Sequence, residues 1–231
     1  ERRVMENVFA KNIAPPAELR TMHQEKLRVL SRHALGRMVR CLDNHDMQRF
    51  LTVSAKTQAN VARRLGRLKL AITYLLTSSG IPIIYYGTEQ AFEGGDQRWD
   101  ASREDMFDGG FEFGPSFGSN FDTNHEMFQF IKALLKLRKA NPVLETGKMR
   151  WLKAENESGV LAYLRESQSS RMLVAMNTDE NYNRQINLRE LGLAHEDKTQ
   201  SATGTLSAAL SNHNIITIPP QGIEIYHITR Y

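Results

Sequence analysis

The densest group of side chains that could do chemistry lies between Cys41 and Phe50, where the sequence reads Cys-Leu-Asp-Asn-His-Asp-Met-Gln-Arg-Phe. The group follows a short apolar segment, so its polar side chains must be solvated or hydrogen-bonded to one another. Such donors and acceptors suit a cleft that binds sugar hydroxyls. Structural roles are expected for two of them, with Asp43 bonded to its own turn and Arg49 paired with Asp43 or Glu89. The polar residues of this group are Asp43, Asn44, His45, Asp46 and Arg49.

A second polar group lies between residues 88 and 120, a segment with many glycines and few periodic apolar positions. Segments of this length are usually functional loops or disordered, and the aromatic residues here argue against disorder. Arg103 is a candidate for ligand contact or for a surface ion pair, and Asp96 and Asp100 are weaker candidates. Trp99 could stack on a sugar face, or it could pack beneath the loop. The segment is therefore expected to be an ordered loop that lines a site.

The elements that position these residues alternate between helix and strand. Apolar residues recur with helical spacing over 16–35, 57–79 and 126–140, and apolar segments of strand length lie at 37–42 and 81–86. This order is typical of repeating β/α units around a parallel sheet. The second strand is apolar on both alternating faces, which predicts that both faces are covered.

From about residue 147 the pattern changes to short strands, without a helix of any length. They are predicted at 160–165, 172–177, 183–188, 215–218 and 223–228, with Ser, Asn and Gly turns between them. This spacing predicts a small antiparallel β-sandwich. The expected fold class is α/β followed by all-β, with one domain over residues 1–145 and a second over 146–231.

Composition excludes several classes of protein. The chain has 41% hydrophobic and 24% charged residues, as an ordinary globular protein does. No apolar run approaches the roughly 20 residues of a membrane helix. The single cysteine, Cys41, excludes an intrachain disulfide, and the histidines lack the spacing of metal ligands. Net charge is +4, but the basic cluster Arg63, Arg64, Arg67 and Lys69 is predicted to be a solvated helix face. No nucleic-acid partner and no metal site is expected, and the compartment stays open.

Three segments together resemble the α-amylase family, glycoside hydrolase family 13. Leu42-Asp-Asn-His-Asp46 resembles the motif at the end of barrel strand seven, and Met47-Gln-Arg-Phe50 is similar to the cyclodextrin glucanotransferase branch. Gly80-Ile-Pro-Ile-Ile-Tyr-Tyr-Gly87 resembles strand eight, and residues 130–144 resemble the last barrel helix. The resemblance implies the C-terminal portion of a (β/α)8 TIM barrel.

The resemblance also implies roles for individual residues. Asp46 matches the third catalytic carboxylate, which grips hydroxyls of the reacting sugar and stabilises its transition state. His45 matches the histidine that binds the same sugar, and Asn44 of the same motif is expected to bind substrate as well. The sequence differs here from the family's Asp-Pro-x-x-Arg element. Arg103 is the better match to the arginine of that element. Asp96 or Asp100 could take the place of its acid.

The nucleophile and the acid/base of a retaining glycosidase are missing from the matching region, and no Gly-x-Arg-x-Asp segment occurs. We therefore expect the chain to be inactive alone and to need the N-terminal part of the barrel as a partner. The expected activity is cleavage or transfer of α-1,4-glucosidic bonds in starch-like glucans or maltooligosaccharides. The alternative is a non-catalytic carbohydrate-binding or scaffold module. No cofactor is expected here, although the resemblance allows calcium in the complete enzyme.

Overall fold

The computed structural model describes residues 1–95, 99–107, 120–193, 198–201 and 215–229. Its helical part contains α1 (Arg2–Met5), a π-helical turn (Glu6–Ala10), α2 (Ala17–Val29), α3 (Arg32–Gly36), α4 (Phe50–Ala55), α5 (Val61–Thr77), α6 (Glu126–Ala140) and α7 (Val143–Thr146). Strands β1 (Val39–Cys41) and β2 (Ile81–Ile83) lie among these helices, and 3-10 turns span Thr88–Gln90 and Trp99–Arg103. Within the described ranges, no helix combines the length and the apolar character that crossing a membrane requires.

The helix predicted over residues 16–35 is wrong in one respect, because the chain forms two helices there. Leu30 is extended, with φ −120° and ψ 142°, and it ends α2. The Ser31 hydroxyl then accepts a hydrogen bond from the Ala34 N–H at 3.1 Å and caps α3. Such a cap satisfies one of the free N–H groups at a helix start. The Asn60 side chain caps α5 in the same way. This helix therefore starts at Val61, four residues later than predicted.

Strands β1 and β2 form a parallel pair with α4 and α5 in the connection between them, as the alternation predicted. Val39 pairs with Ile81 and Cys41 with Ile83, so these four side chains share one face of the sheet. The predicted burial of both faces is wrong for this chain, because Val39, Ile81 and Ile83 are 60%, 47% and 47% exposed. Among the described residues, other parts of the chain pack only against the opposite face of this two-stranded sheet.

Residues from Lys148 onward form the β-domain. Strands β3 (Lys148–Ala154), β4 (Val160–Glu166), β5 (Arg171–Asn177), β9 (Ile223–Thr229) and β7 (Lys198–Ser201) make an antiparallel sheet in that order. A second sheet pairs β6 (Arg184–Asn187) with β8 (Ile215–Ile218). Alternate residues of β4 face the two sides, with Ala162 toward the second sheet and Tyr163 toward the helices. The predicted sandwich is present, and β3 and β7 are strands that the sequence pattern missed.

One continuous core joins the helices to the β-domain. Tyr74 of α5 packs against Tyr163 and Trp151, with ring centroids 6.0 and 6.4 Å apart. The buried Arg165 guanidinium donates to the carbonyl oxygens of Thr77, Leu144 and Gly147 at 2.5 to 2.8 Å. These contacts fix the helices that carry β1 and β2 against the large sheet.

The prediction that the basic residues of α5 form a solvated face is wrong for Arg67. Its side chain is 6% exposed, and its Nε donates to Glu180 of the β-domain at 2.6 Å. Its Nη1 donates to the Ala10 carbonyl oxygen at 2.7 Å and to the Thr57 hydroxyl at 2.8 Å. A buried charge needs such partners, so Arg67 joins the two parts of the chain.

Candidate functional site

The triplet Asn44, His45 and Asp46 forms a turn just beyond the carboxyl end of β1. The Asn44 Oδ1 accepts a hydrogen bond from the Asp46 N–H at 2.9 Å, and the Asn44 carbonyl oxygen accepts one from Met47 at 3.3 Å. The Asn44 side chain therefore holds the turn. The side chains of His45 and Asp46 are 59% and 64% exposed. In parallel β/α folds this end of the strands is where active sites form.

Arg103 comes to the triplet from the loop after β2. Its Nη2 lies 3.2 Å from Asp46 Oδ1, and its Nε donates to the His45 carbonyl oxygen at 3.2 Å. The other carboxylate oxygen, Oδ2, lies 3.2 Å from His45 Nε2. The structure thus places Asp46 between an imidazole and a guanidinium, and these three residues are the His45–Asp46–Arg103 cluster.

The ion pair between Arg103 and Asp46 is exposed to solvent. Exposed pairs of this kind contribute about 0 to 1 kcal/mol, because water screens them and ordering the side chains costs entropy. The pair can therefore exchange for hydrogen bonds to a bound molecule at low cost. Ser102 supports the same turn, since its hydroxyl donates to the His45 carbonyl oxygen at 3.1 Å.

Asp43 has the structural role that the sequence predicted. Its carboxylate is buried, and Oδ2 accepts a hydrogen bond from the Phe50 N–H at 2.8 Å. Burial raises the pKa of Asp43, while the Phe50 hydrogen bond and the Arg49 charge oppose that rise. Asp43 therefore connects the start of the polar turn to the first residue of α4.

Arg49 lies wholly buried beneath the triplet. Its Nη1 donates to the Tyr86 carbonyl oxygen at 2.6 Å, and its guanidinium lies over the rings of Tyr85, Tyr86 and Phe92 at 4.1, 5.0 and 5.5 Å. Such contacts between a cation and aromatic faces are attractive. Arg49 thus joins the loop after β1 to the loop after β2. No local pattern around Arg49 predicted this aromatic environment, because the three rings come from a segment more than 30 residues away.

Gly94 lets the loop after β2 approach α4 closely. The Gly94 N–H donates to the Thr52 hydroxyl at 2.6 Å, and the Gly94 carbonyl oxygen accepts from the Arg49 N–H at 3.1 Å. Gly94 has φ +142°, and a Cβ there would collide with the Ala101 carbonyl oxygen. This packing holds the turn 99–103 in a position from which Arg103 reaches Asp46.

The remaining predicted site residues are only partly described. Trp99 and Asp100 begin the 3-10 turn Trp99–Arg103, but their side chains lie outside the described residues, as does all of Asp96. Their proposed contacts with sugar stay predictions. Among the side chains that the structure describes, no group of three or more His, Cys, Asp or Glu could hold a metal ion. Calcium in a complete enzyme stays a prediction too.

Comparison of the sequence with known proteins relates the chain to a family. Residues 7–108 match the model of the alpha amylase catalytic domain. The chain is 39% identical to a cyclomaltodextrin glucanotransferase of Paenibacillus macerans over 145 residues, which cover 62% of this chain and 17% of that protein. It is 31% identical to a cyclomaltodextrinase of a Bacillus species over 74% of this chain and 27% of that protein. The chain thus spans about a quarter or less of these relatives.

Solved structures agree on the fold. An Anoxybacillus α-amylase superposes with a TM-score of 0.77 at 22% identity, covering 99% of this chain and 46% of that one. A cyclomaltodextrinase superposes with a TM-score of 0.72 at 24% identity, covering 99% and 36%. The helices with β1 and β2 are therefore part of a (β/α)8 barrel, and the antiparallel sheets are the β-domain that follows it. The chain belongs to the α-amylase family, glycoside hydrolase family 13.

Proposed function

We propose that this chain is part of a glycoside hydrolase that acts on α-1,4-glucosidic bonds of starch-like glucans or maltooligosaccharides. One observation carries the proposal: the exposed Asp46 carboxylate stands at a strand end between His45 Nε2 and Arg103 Nη2, each 3.2 Å away. Names of relatives support the substrate class, since they include cyclomaltodextrinase and cyclomaltodextrin glucanotransferase. Cleavage and transfer are both consistent with these names.

In the proposed mechanism, Asp46 acts through the shape of the reacting sugar. Glycoside cleavage passes through an oxocarbenium-like state in which the ring is distorted, and hydrogen bonds to ring hydroxyls that strengthen in this state lower the barrier. Asp46 accepts these bonds when sugar displaces its exposed contact with Arg103. His45 donates to the same sugar, and Arg103 returns to the carboxylate after release.

The nucleophile and the acid of the retaining reaction are proposed to lie outside this chain. A retaining pair of carboxyl groups stands about 5 to 5.5 Å apart across the scissile bond. The other carboxylate of the motif, Asp43, is buried and bonded to the Phe50 N–H, so it cannot attack a sugar. The remaining barrel strands would supply both groups, and they would cover the exposed face at Val39, Ile81 and Ile83.

A non-catalytic carbohydrate-binding or scaffold module is the second candidate function. The observation that favours it is an exposed aromatic pair, Phe107 and Phe121, whose ring centroids lie 5.3 Å apart. Aromatic faces provide apolar contact area of the kind that sugars pack against. Such a module would bind glucan without cleaving it.

Hydrolysis and binding assays separate the two candidates. In the complete protein that contains these residues, Asp46→Asn is expected to lower starch hydrolysis by roughly 10²- to 10³-fold, as loss of a transition-state contact does. Asp122→Asn is the matched control, because Asp122 is exposed and its bond from the Asn124 N–H survives the change. Near-normal hydrolysis by Asp46→Asn would refute the role of Asp46. Glucan binding without hydrolysis by the unchanged protein would establish the second candidate.

A further inference from the structure

A cleft of about 300 Å³ opens at the end of the barrel strands opposite to Asp46. It lies where α3 leads into β1, where Ser79 precedes β2, and where α7 passes into β3. The β-domain closes it from one side. The His45–Asp46–Arg103 cluster does not line it, so the cleft is separate from the proposed glycosidase site.

The rim of the cleft is strongly basic. Arg32, Arg37 and Lys148 line it and are exposed, and within the described ranges none of them forms an ion pair with a carboxylate. Glu145 is the one acidic side chain among the lining residues. Surface cations usually have neighbours of both charge signs. Three unpaired cations around one opening therefore concentrate a positive potential there.

The floor of the cleft adds to this potential. Arg165 lines it and is wholly buried, and its guanidinium bonds to carbonyl oxygens rather than to a carboxylate. Its Nε has no hydrogen-bond partner among the described residues. Burial is the main cause that lowers the pKa of Arg165, and the nearby charges of Arg138 and Arg40 lower this pKa further. A buried charge without a counter-charge attracts an anion from solvent, because screening is weak in a low-dielectric environment.

His23 supplies a neutral donor on the same floor. Its Nδ1 accepts a hydrogen bond from the Trp151 indole N–H at 3.2 Å. Burial lowers the pKa of His23 to about 4, so the ring is neutral at pH 7 and carries its proton on Nε2. Three apolar side chains, Leu27, Leu35 and Met149, form an apolar part of the lining. The cleft thus combines cations and a neutral donor with an apolar wall.

We propose that this cleft binds a small organic phosphate, with the phosphate between Arg37 and Lys148 and the organic group on the apolar wall. A phosphate ester carries close to two negative charges and three acceptor oxygens, which suits several unpaired cations better than a single carboxylate does. The organic group accounts for the apolar side of the cleft. This inference is independent of the glycosidase proposal.

Isothermal titration calorimetry of the complete protein that contains these residues, titrated with phenyl phosphate, tests the proposal. A dissociation constant of about 1 mM or tighter is expected, with weaker binding of inorganic phosphate and none of phenol. The double variant Arg37→Gln, Lys148→Gln should weaken phenyl phosphate binding roughly tenfold or more, because it removes two charge-assisted contacts. Both side chains are exposed, so their replacement leaves the core intact.

The matched control is the double variant Lys132→Gln, Lys136→Gln. It removes the same charge from the exposed face of α6, away from the cleft. Unchanged binding by this control is the expected result. Equal weakening by both double variants would overturn the site and indicate attraction to net charge alone. Absence of saturable phenyl phosphate binding in the unchanged chain would also overturn it.

Discussion

Glu180 is predicted to be the residue whose charge contributes most to joining α5 to the β-domain, and Glu180→Gln tests this. The Glu180 side chain is 9% exposed and receives Arg67 Nε at 2.6 Å. It also accepts hydrogen bonds from Gln58 at 2.7 Å and from Gln221 at 3.1 Å. The substitution keeps the shape of the side chain, but it removes the charge and turns one acceptor into a donor.

The expected change in the free energy of unfolding depends on the hydrogen bonds that Arg67 keeps. Removing one partner of a buried ion pair costs about 3 to 5 kcal/mol, because the other charge stays buried. Arg67 retains the Ala10 carbonyl oxygen and the Thr57 hydroxyl as acceptors, and each hydrogen bond to a charged group contributes about 1.5 to 3 kcal/mol. We therefore expect the free energy of unfolding to fall by about 2 to 3 kcal/mol.

Urea unfolding followed by tryptophan fluorescence and circular dichroism measures this change. Glu157→Gln is the control, since Glu157 is exposed and should alter the free energy of unfolding by less than about 0.5 kcal/mol. Combining Glu180→Gln with Arg67→Met should cost less than the sum of the single changes, because both remove the same pair. A Glu180→Gln effect no larger than that of the control would refute the reasoning.

Two further predictions concern the cleft floor and the loop glycine. The pKa of His23 is about 4 in the folded chain and about 6.5 when unfolded, so the unfolded chain gains a proton first as pH falls. Between pH 6.5 and 4 this should lower the free energy of unfolding by at most about 3 kcal/mol, and His23→Gln should flatten that part of the pH profile. Gly94→Ala should destabilise the chain by about 1 to 3 kcal/mol in thermal unfolding. Gly36→Ala, with nothing within 4 Å of the new Cβ, should have little effect, and equal effects would contradict the strain argument.

The parts of the site that could be predicted are those encoded locally. Asp46 and His45 lie in the turn shortly after β1, and both side chains are exposed and also contact each other, which are the two arrangements that the sequence allowed. The contact between Asp46 and Arg103 joins residues 57 positions apart. It depends on how the loop packs on α4 through Gly94, which no local pattern encodes. The side-chain contact was therefore visible only in the structure.

Buried arginines explain most of what the sequence could not predict. Isolated guanidinium groups are costly to bury, so Arg67 was expected on a solvated face of α5, and no sequence pattern predicted that Arg165 is buried. In the structure Glu180 and a set of carbonyl oxygens compensate them, and these partners come from distant segments. Strand β3 was missed for a related reason, since Lys148, Arg150 and Lys153 make it look polar although it forms the edge of the large sheet.

The most direct test of the proposed function compares two ligands on one variant. In the complete protein, Asp46→Asn should weaken binding of a transition-state analogue with a flattened ring by roughly 100-fold or more. Binding of an undistorted maltooligosaccharide should weaken by less than roughly tenfold, because Asp46 is proposed to grip the distorted sugar selectively. Equal weakening of the two ligands would contradict a transition-state role for the carboxylate between His45 and Arg103.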